Sequence, residues 1–243
     1  MRPDAYLLVA VFTIITAPSL GFSESIESVG PPQIIVNDGS NRNQNLPKTT
    51  PLHHATSADD VRRLVSQGAD VNAHAEGNLE TPLHSAIYNQ RWDVARALIS
   101  SGADVRAIDC RTRTPLLYVA AWSDNIEIAR LLIEKGALVD AKEDTGQTPL
   151  SWACANGHLS IIGLLLNKGA DINSRGIMGG TPLSEAVQGE KVDVVKYLLA
   201  HHADPRVGIK QDQTISDYYA SFCKGNKRNP NPEMVRTLRD HGV

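Results

Sequence analysis

The residues with the widest chemical range in this chain are its eight histidines and three cysteines. A metal site or a general base needs such groups at set spacings, such as two histidines one helical turn apart or paired Cys-x-x-Cys ligands. Neither arrangement occurs, and His54, His74 and His202 lie in separate stretches of the chain. Cys110, Cys154 and Cys223 are an odd number and cannot all pair within one molecule. Cys110 stands between Asp109 and Arg111. A neighbouring cation favours a thiolate, so a redox role for Cys110 is one reading and a bystander thiol is the other. Cys154 follows an alanine in an apolar stretch and is expected to be buried and inert. No Gly-x-Ser-x-Gly elbow and no phosphate-cradling loop is present. The glycine-rich run Gly176-Ile177-Met178-Gly179-Gly180 leads directly into Thr181-Pro182 and is expected to be a loop tip. Catalysis, a cofactor and a metal are therefore not expected.

Any such residue must be positioned by the elements around it, and an internal period supplies them. Thr-Pro-Leu recurs at Thr50, Thr81, Thr114, Thr148 and Thr181, and an altered copy begins at Thr214. A second marker, Gly-Ala, recurs at Gly68, Gly102, Gly136 and Gly169, and His202-Ala203 continues the series. Threonine followed by proline suits the N-cap and first position of a helix. The hydroxyl accepts from an early amide, and proline lacks the amide that would be orphaned there. Glycine before alanine suits a helix end that needs positive φ. Two short amphipathic helices lie between the markers, as in the apolar face of Leu159, Ile161, Ile162, Leu164, Leu165 and Leu166. The polar stretch from each Gly-Ala to the next Thr-Pro-Leu is expected to be a hairpin-like loop.

These repeats resemble the ankyrin-repeat family. Thr-Pro-Leu-His stands at Thr50 to His53 and Thr81 to His84, Gly-Ala-Asp-Val-Asn at Gly68 to Asn72, and Gly-Ala-Asp-Ile-Asn at Gly169 to Asn173. Asn156-Gly157-His158-Leu159 matches the family's inter-helix turn. The resemblance implies an all-α repeat solenoid of helix-turn-helix units with projecting hairpin loops. About six units including caps fall near 49–80, 81–113, 114–147, 148–180, 181–213 and 214–243. It implies that His53 and His84 tie repeats together by hydrogen bonds. The first unit is three residues short, the third has one extra near Trp122, and the last carries an insertion around Lys224 to Pro230. Atypical end units are expected, because they cap an otherwise open core.

The resemblance also implies a function, the binding of a protein on the concave face and hairpin tips. The position after Thr-Pro-Leu-x carries Tyr118, Trp152, Glu185 and Tyr218, and one turn on come Tyr88 and Trp122. The family places these at or near the concave surface, and Arg111 and Arg113 add charge on a hairpin. Tyr118 with Trp122 forms an i, i+4 pair on one helix face, and such rings are common anchors of interfaces. Sequence leaves open whether the rings meet a partner or pack between neighbouring repeats. A net charge of −3 makes no case for nucleic acid. A composition of 42% hydrophobic and 21% charged residues suits a folded chain.

Residues 1–23 have a short charged start, an apolar run from Leu7 to Ala17 and small residues at Ser19, Gly21 and Ser23. That is the layout of a cleavable secretory signal, too short to span a bilayer comfortably. Residues 24–48 are rich in Ser, Asn, Gly and Pro, and a disordered polar linker is expected there. The chain is thus expected to be exported, periplasmic or secreted, monomeric, and free of the membrane once the signal is removed. It would support or inhibit an exported enzyme. A toxin immunity protein or a secreted effector is the alternative.

Overall fold

In the computed structural model, residues 49–206 and 214–242 are described. The secretory signal and the linker expected over residues 1–48 lie outside them. A short 3-10 turn, Pro51–His54, is followed by eleven α-helices. These are α1 (Ala58–Ser66), α2 (Pro82–Tyr88), α3 (Trp92–Ser100), α4 (Pro115–Trp122), α5 (Ile126–Glu134) and α6 (Pro149–Asn156). The series continues with α7 (Leu159–Asn167), α8 (Pro182–Gln188), α9 (Val192–Ala200), α10 (Ile215–Gly225) and α11 (Pro232–Asp240). Among the described residues there is no β-strand, and none of the helices is long and apolar enough to cross a membrane.

The threonine–proline marker starts each first helix as its chemistry requires. The hydroxyls of Thr81, Thr114, Thr148, Thr181 and Thr214 accept from the amides three residues on, and proline fills the next position in α2, α4, α6 and α8. The motif leucines Leu52, Leu83, Leu116, Leu150 and Leu183 are each at most 1% exposed. The second helices bury one stripe at i, i+4 spacing, seen in Val94 with Leu98, Ile128 with Leu132, and Ile161 with Leu165. First helices pack on first helices from the 3-10 turn through α2, α4, α6 and α8 to α10. Second helices do likewise from α1 through α3 and α5 to α7, and α9 packs on α11. No unit could bury these stripes alone, so stacking supplies the core.

Side chains between units explain the remaining motif letters. His84 Nδ1 accepts from the Thr81 amide at 3.2 Å, which leaves its ring proton on Nε2 to donate to the Arg113 carbonyl at 3.0 Å. His53 repeats this geometry with Thr50 and the Glu80 carbonyl. Asn72 accepts from the amide of Asp104 at 2.8 Å, and Asn173 from that of Asp204 at 2.9 Å, so each motif asparagine holds the next loop. Arg91 donates to the carbonyls of His53 and Ala55, and His158 Nδ1 donates to that of Ala120. These bonds satisfy carbonyls that a short element leaves free at its C-terminal end.

The irregular units also follow their sequences. The shortened first unit has only the 3-10 turn where the others have a first helix. In the last unit the insertion lengthens α10 to eleven residues, against seven or eight in α2, α4, α6 and α8. His202 occupies the position of the helix-ending glycines at φ +64°. The loops are turns closed by pairs of backbone bonds, such as the Asp109 amide to the Arg113 carbonyl with the Thr112 amide to the Asp109 carbonyl, and the Glu143 amide to the Gln147 carbonyl with the Gly146 amide to the Glu143 carbonyl. Single backbone bonds also join loop to loop, from the Cys110 amide to Asn78, Asp144 to Arg111, and Ile177 to Thr145.

Candidate functional site

The face built from first helices and loops gathers most of the aromatic side chains singled out by sequence. Tyr88, at the end of α2, lies 5.5 Å from Trp122 in α4, and Trp122 stacks on Trp152 of α6 at 6.4 Å. All three rings are partly buried. Tyr118 lies 4.7 Å from Trp122 and 5.0 Å from the His84 ring. The Arg113 guanidinium sits 4.9 Å from the Tyr118 ring and 5.6 Å from Trp122, close enough for cation–π attraction.

A hydrogen-bonded lattice beneath the band fixes these rings. The Tyr118 hydroxyl lies 2.8 Å from both Glu80 Oε1 and Asp109 Oδ2. Asp109 also grips Arg113 at 2.6 Å and accepts from the amides of Arg111 and Arg113. Burial alone would raise Asp109, but the bonds from Arg113 and Tyr118 outweigh it and hold the carboxyl below its usual range. One unit further on, Glu143 accepts from the Trp152 indole at 3.2 Å and from Thr145 at 2.7 Å. Burial nevertheless leaves Glu143 above the ordinary carboxylate range. His84 is fully enclosed, and burial pushes it down to about 4, so it is neutral at pH 7.

Three of the residues expected on a partner-contacting surface are internal instead. Tyr118 is 1% exposed, Glu185 3% and Tyr218 9%. The stack of first helices closes over this position, so their side chains complete the interface between units. Arg113 is largely covered by its ion pair and the two rings. Arg111 is exposed and pairs with Asp144 of the next loop at 3.5 Å. Tyr88, Trp122 and Trp152 are only partly buried and so reach the surface of the same band.

Of the exposed large apolar side chains, which also include Leu79, Ile108, Leu138 and Leu159, the two most exposed were not singled out by sequence as partner contacts. Ile177 is 73% exposed and Met178 57%, both on the Gly176–Gly180 loop tip. The signal available was an apolar pair inside an otherwise polar loop. Cys110 is exposed on its loop, whereas Cys154 and Cys223 are buried, and all three thiols are free. Among the described residues no group of three or more His, Cys, Asp or Glu side chains could hold a metal ion.

A family model described as ankyrin repeats (3 copies) matches the chain over residues 32–109, 75–143 and 117–208. The chain belongs to the ankyrin-repeat family. No curated protein matches it. Ankyrin repeats support a protein–protein interaction module in this chain, and proteins of the family are typically non-enzymatic. In ankyrin terms, the band of Tyr88, Trp122 and Trp152 lies on the first helices, and Ile177–Met178 forms the tip of the fourth loop.

Proposed function

We propose that this ankyrin-repeat protein is exported and grips a protein partner, with no catalysis of its own. The partner would lie along the aromatic band of Tyr88, Trp122 and Trp152 and the loop tips carrying Arg111, Ile177 and Met178. The observation that carries the reading is the loop tip. An isoleucine and a methionine exposed at 73% and 57% contribute nothing to the repeat core, and burial against a partner would remove apolar surface from water. Rigid, partly buried tryptophans on the first helices lose little side-chain entropy on contact, which suits them as anchors. Arg113 acts from beneath by holding Trp122. Export rests on the layout of residues 1–23, and the proposal extends to a monomer that serves an exported enzyme as support or inhibitor. A toxin immunity protein or an effector uses the same face.

A photo-crosslinking residue at position 177, in cells that make the protein, tests the reading. One discrete protein adduct is expected, lost when Trp122→Ala and Trp152→Ala are combined with retention of the helical circular-dichroism signal. An unchanged adduct in that variant would remove the aromatic band from the site. Cell fractionation tests export, and a full-length cytosolic product would refute it.

A further inference from the structure

Glu185 is the most deeply enclosed carboxyl that the proposed function does not use. It starts the second turn of α8 at a position occupied by Tyr118, Trp152 and Tyr218 in other units. Its side chain is 3% exposed, and Oε1 accepts from the Gln147 side-chain amide at 2.8 Å. Gly180 makes room for it: a Cβ there would lie 2.8 Å from Glu185 Oε1. Helix α8 packs against α6, α9 and α10. Helix α6 brings the Cys154 thiol and α10 the Tyr218 phenol, both raised by burial and by the Glu185 charge. The charged side chains of α9, Asp193 and Lys196, are exposed. Among the described residues no cation forms an ion pair with Glu185.

The second observation is on the partner. Gln147 is 8% exposed, and its Oε1 is buried without a hydrogen-bond partner. A buried amide oxygen left unpaired is costly. A carboxylate beside a primary amide can only accept, so it satisfies the nitrogen and leaves the oxygen bare. A carboxylic acid carries a donor and can serve the oxygen as well. Turning the amide over does not remove the need, because the oxygen would then face the carboxyl directly. A bare carboxylate in this place has lost its water and gained no cation.

We infer that Glu185 is held as the neutral acid in the folded protein, paired with Gln147, and that ionisation of this pair loosens the packing of the fourth to sixth repeats. Burial supports this by raising Glu185 to about 7, against a weaker opposing pull from the Gln147 bond. The sign follows from linkage. The folded state keeps the proton at a pH where the unfolded chain has released it, so the stabilisation is complete below the ordinary carboxylate range. It is lost as pH rises to about 7. The device is thus a stack that is tightest in mildly acidic surroundings.

The test uses the full chain and Glu185→Gln, an isosteric amide that cannot ionise. Urea unfolding of both is measured from pH 4.5 to 8. The ratio of their unfolding constants is expected to shift on the order of a hundredfold across that range, with wild type the loser at high pH. In parallel, assigned carbon-13 carboxyl NMR of wild type is expected to show the Glu185 signal titrating near pH 7. A ratio independent of pH, or a wild-type spectrum in which Glu185 titrates in the ordinary range, would overturn the inference. The NMR readout needs no variant, so it decides even if Glu185→Gln fails to fold.

Discussion

At the Tyr118 hydroxyl, one proton serves two carboxylates. Glu80 and Asp109 each lie 2.8 Å from it, Asp109 from the loop that leads into α4 and Glu80 from the loop one unit earlier. Phenylalanine at 118 would keep the ring contacts and remove the only donor between the acids. We expect Tyr118→Phe to cost about 2 kcal/mol in urea unfolding, because part-buried Glu80 loses its bond and buried Asp109 one of several. A cost below about 0.5 kcal/mol would show that water or a shifted side chain replaces the hydroxyl. His84 works the same way across the next junction. His84→Ala strands the Arg113 carbonyl and opens a cavity, so a loss of about 3 kcal/mol is expected, with unchanged far-ultraviolet circular dichroism in the remaining folded protein.

The loops are the elements in which sequence was least informative. Their polar composition predicts turns, but it does not show that neighbouring tips are tied by a backbone bond at three successive junctions. Gly146 illustrates the constraint. It has φ +76°, and a Cβ there would lie 2.8 Å from the Ile177 amide nitrogen, which is backbone and cannot swing aside. Gly146→Ala is expected to destabilise by about 2 kcal/mol or more, and to speed amide exchange at Ile177. Exchange at Ile177 as slow as in wild type would mean that the loop contact survives. Because that contact sets the pose of Ile177 and Met178, the same variant should weaken the partner adduct formed from position 177.

Over the whole molecule, two buried groups push stability in opposite directions with pH. His84 is lowered to about 4, so its contribution is present above the ordinary histidine range and fades as pH falls through about 4. Glu185 is raised to about 7, so its contribution fades as pH rises. Between about pH 4.5 and 6.5 the two slopes offset one another. Glu185→Gln removes one of them, and its stability should therefore climb more steeply over that window than that of wild type. Parallel curves for the two proteins in thermal or urea unfolding would show that the groups do not oppose one another in this way.

The chain's architecture was legible because it is written five times over. Each Thr-Pro-Leu and each Gly-Ala marks a helix end by local chemistry alone, and repetition at a near-constant period leaves only a stack of equivalent units. Even the departures were visible, in the clipped first unit and the lengthened last one. The face of the molecule was not. Tyr118, Trp152, Glu185 and Tyr218 occupy the same place in the motif, yet Tyr118, Glu185 and Tyr218 are buried while Trp152 reaches the surface. Register is a property of one unit, whereas burial at that register depends on which side chains the two neighbouring units bring. Glu80 and Asp109 enclose Tyr118, and Gln147 with a glycine at position 180 encloses Glu185. Asp109 and the glycine are near in the chain, but Glu80 stands 38 residues from Tyr118 and Gln147 38 from Glu185, and only the stacked structure brings those pairs together.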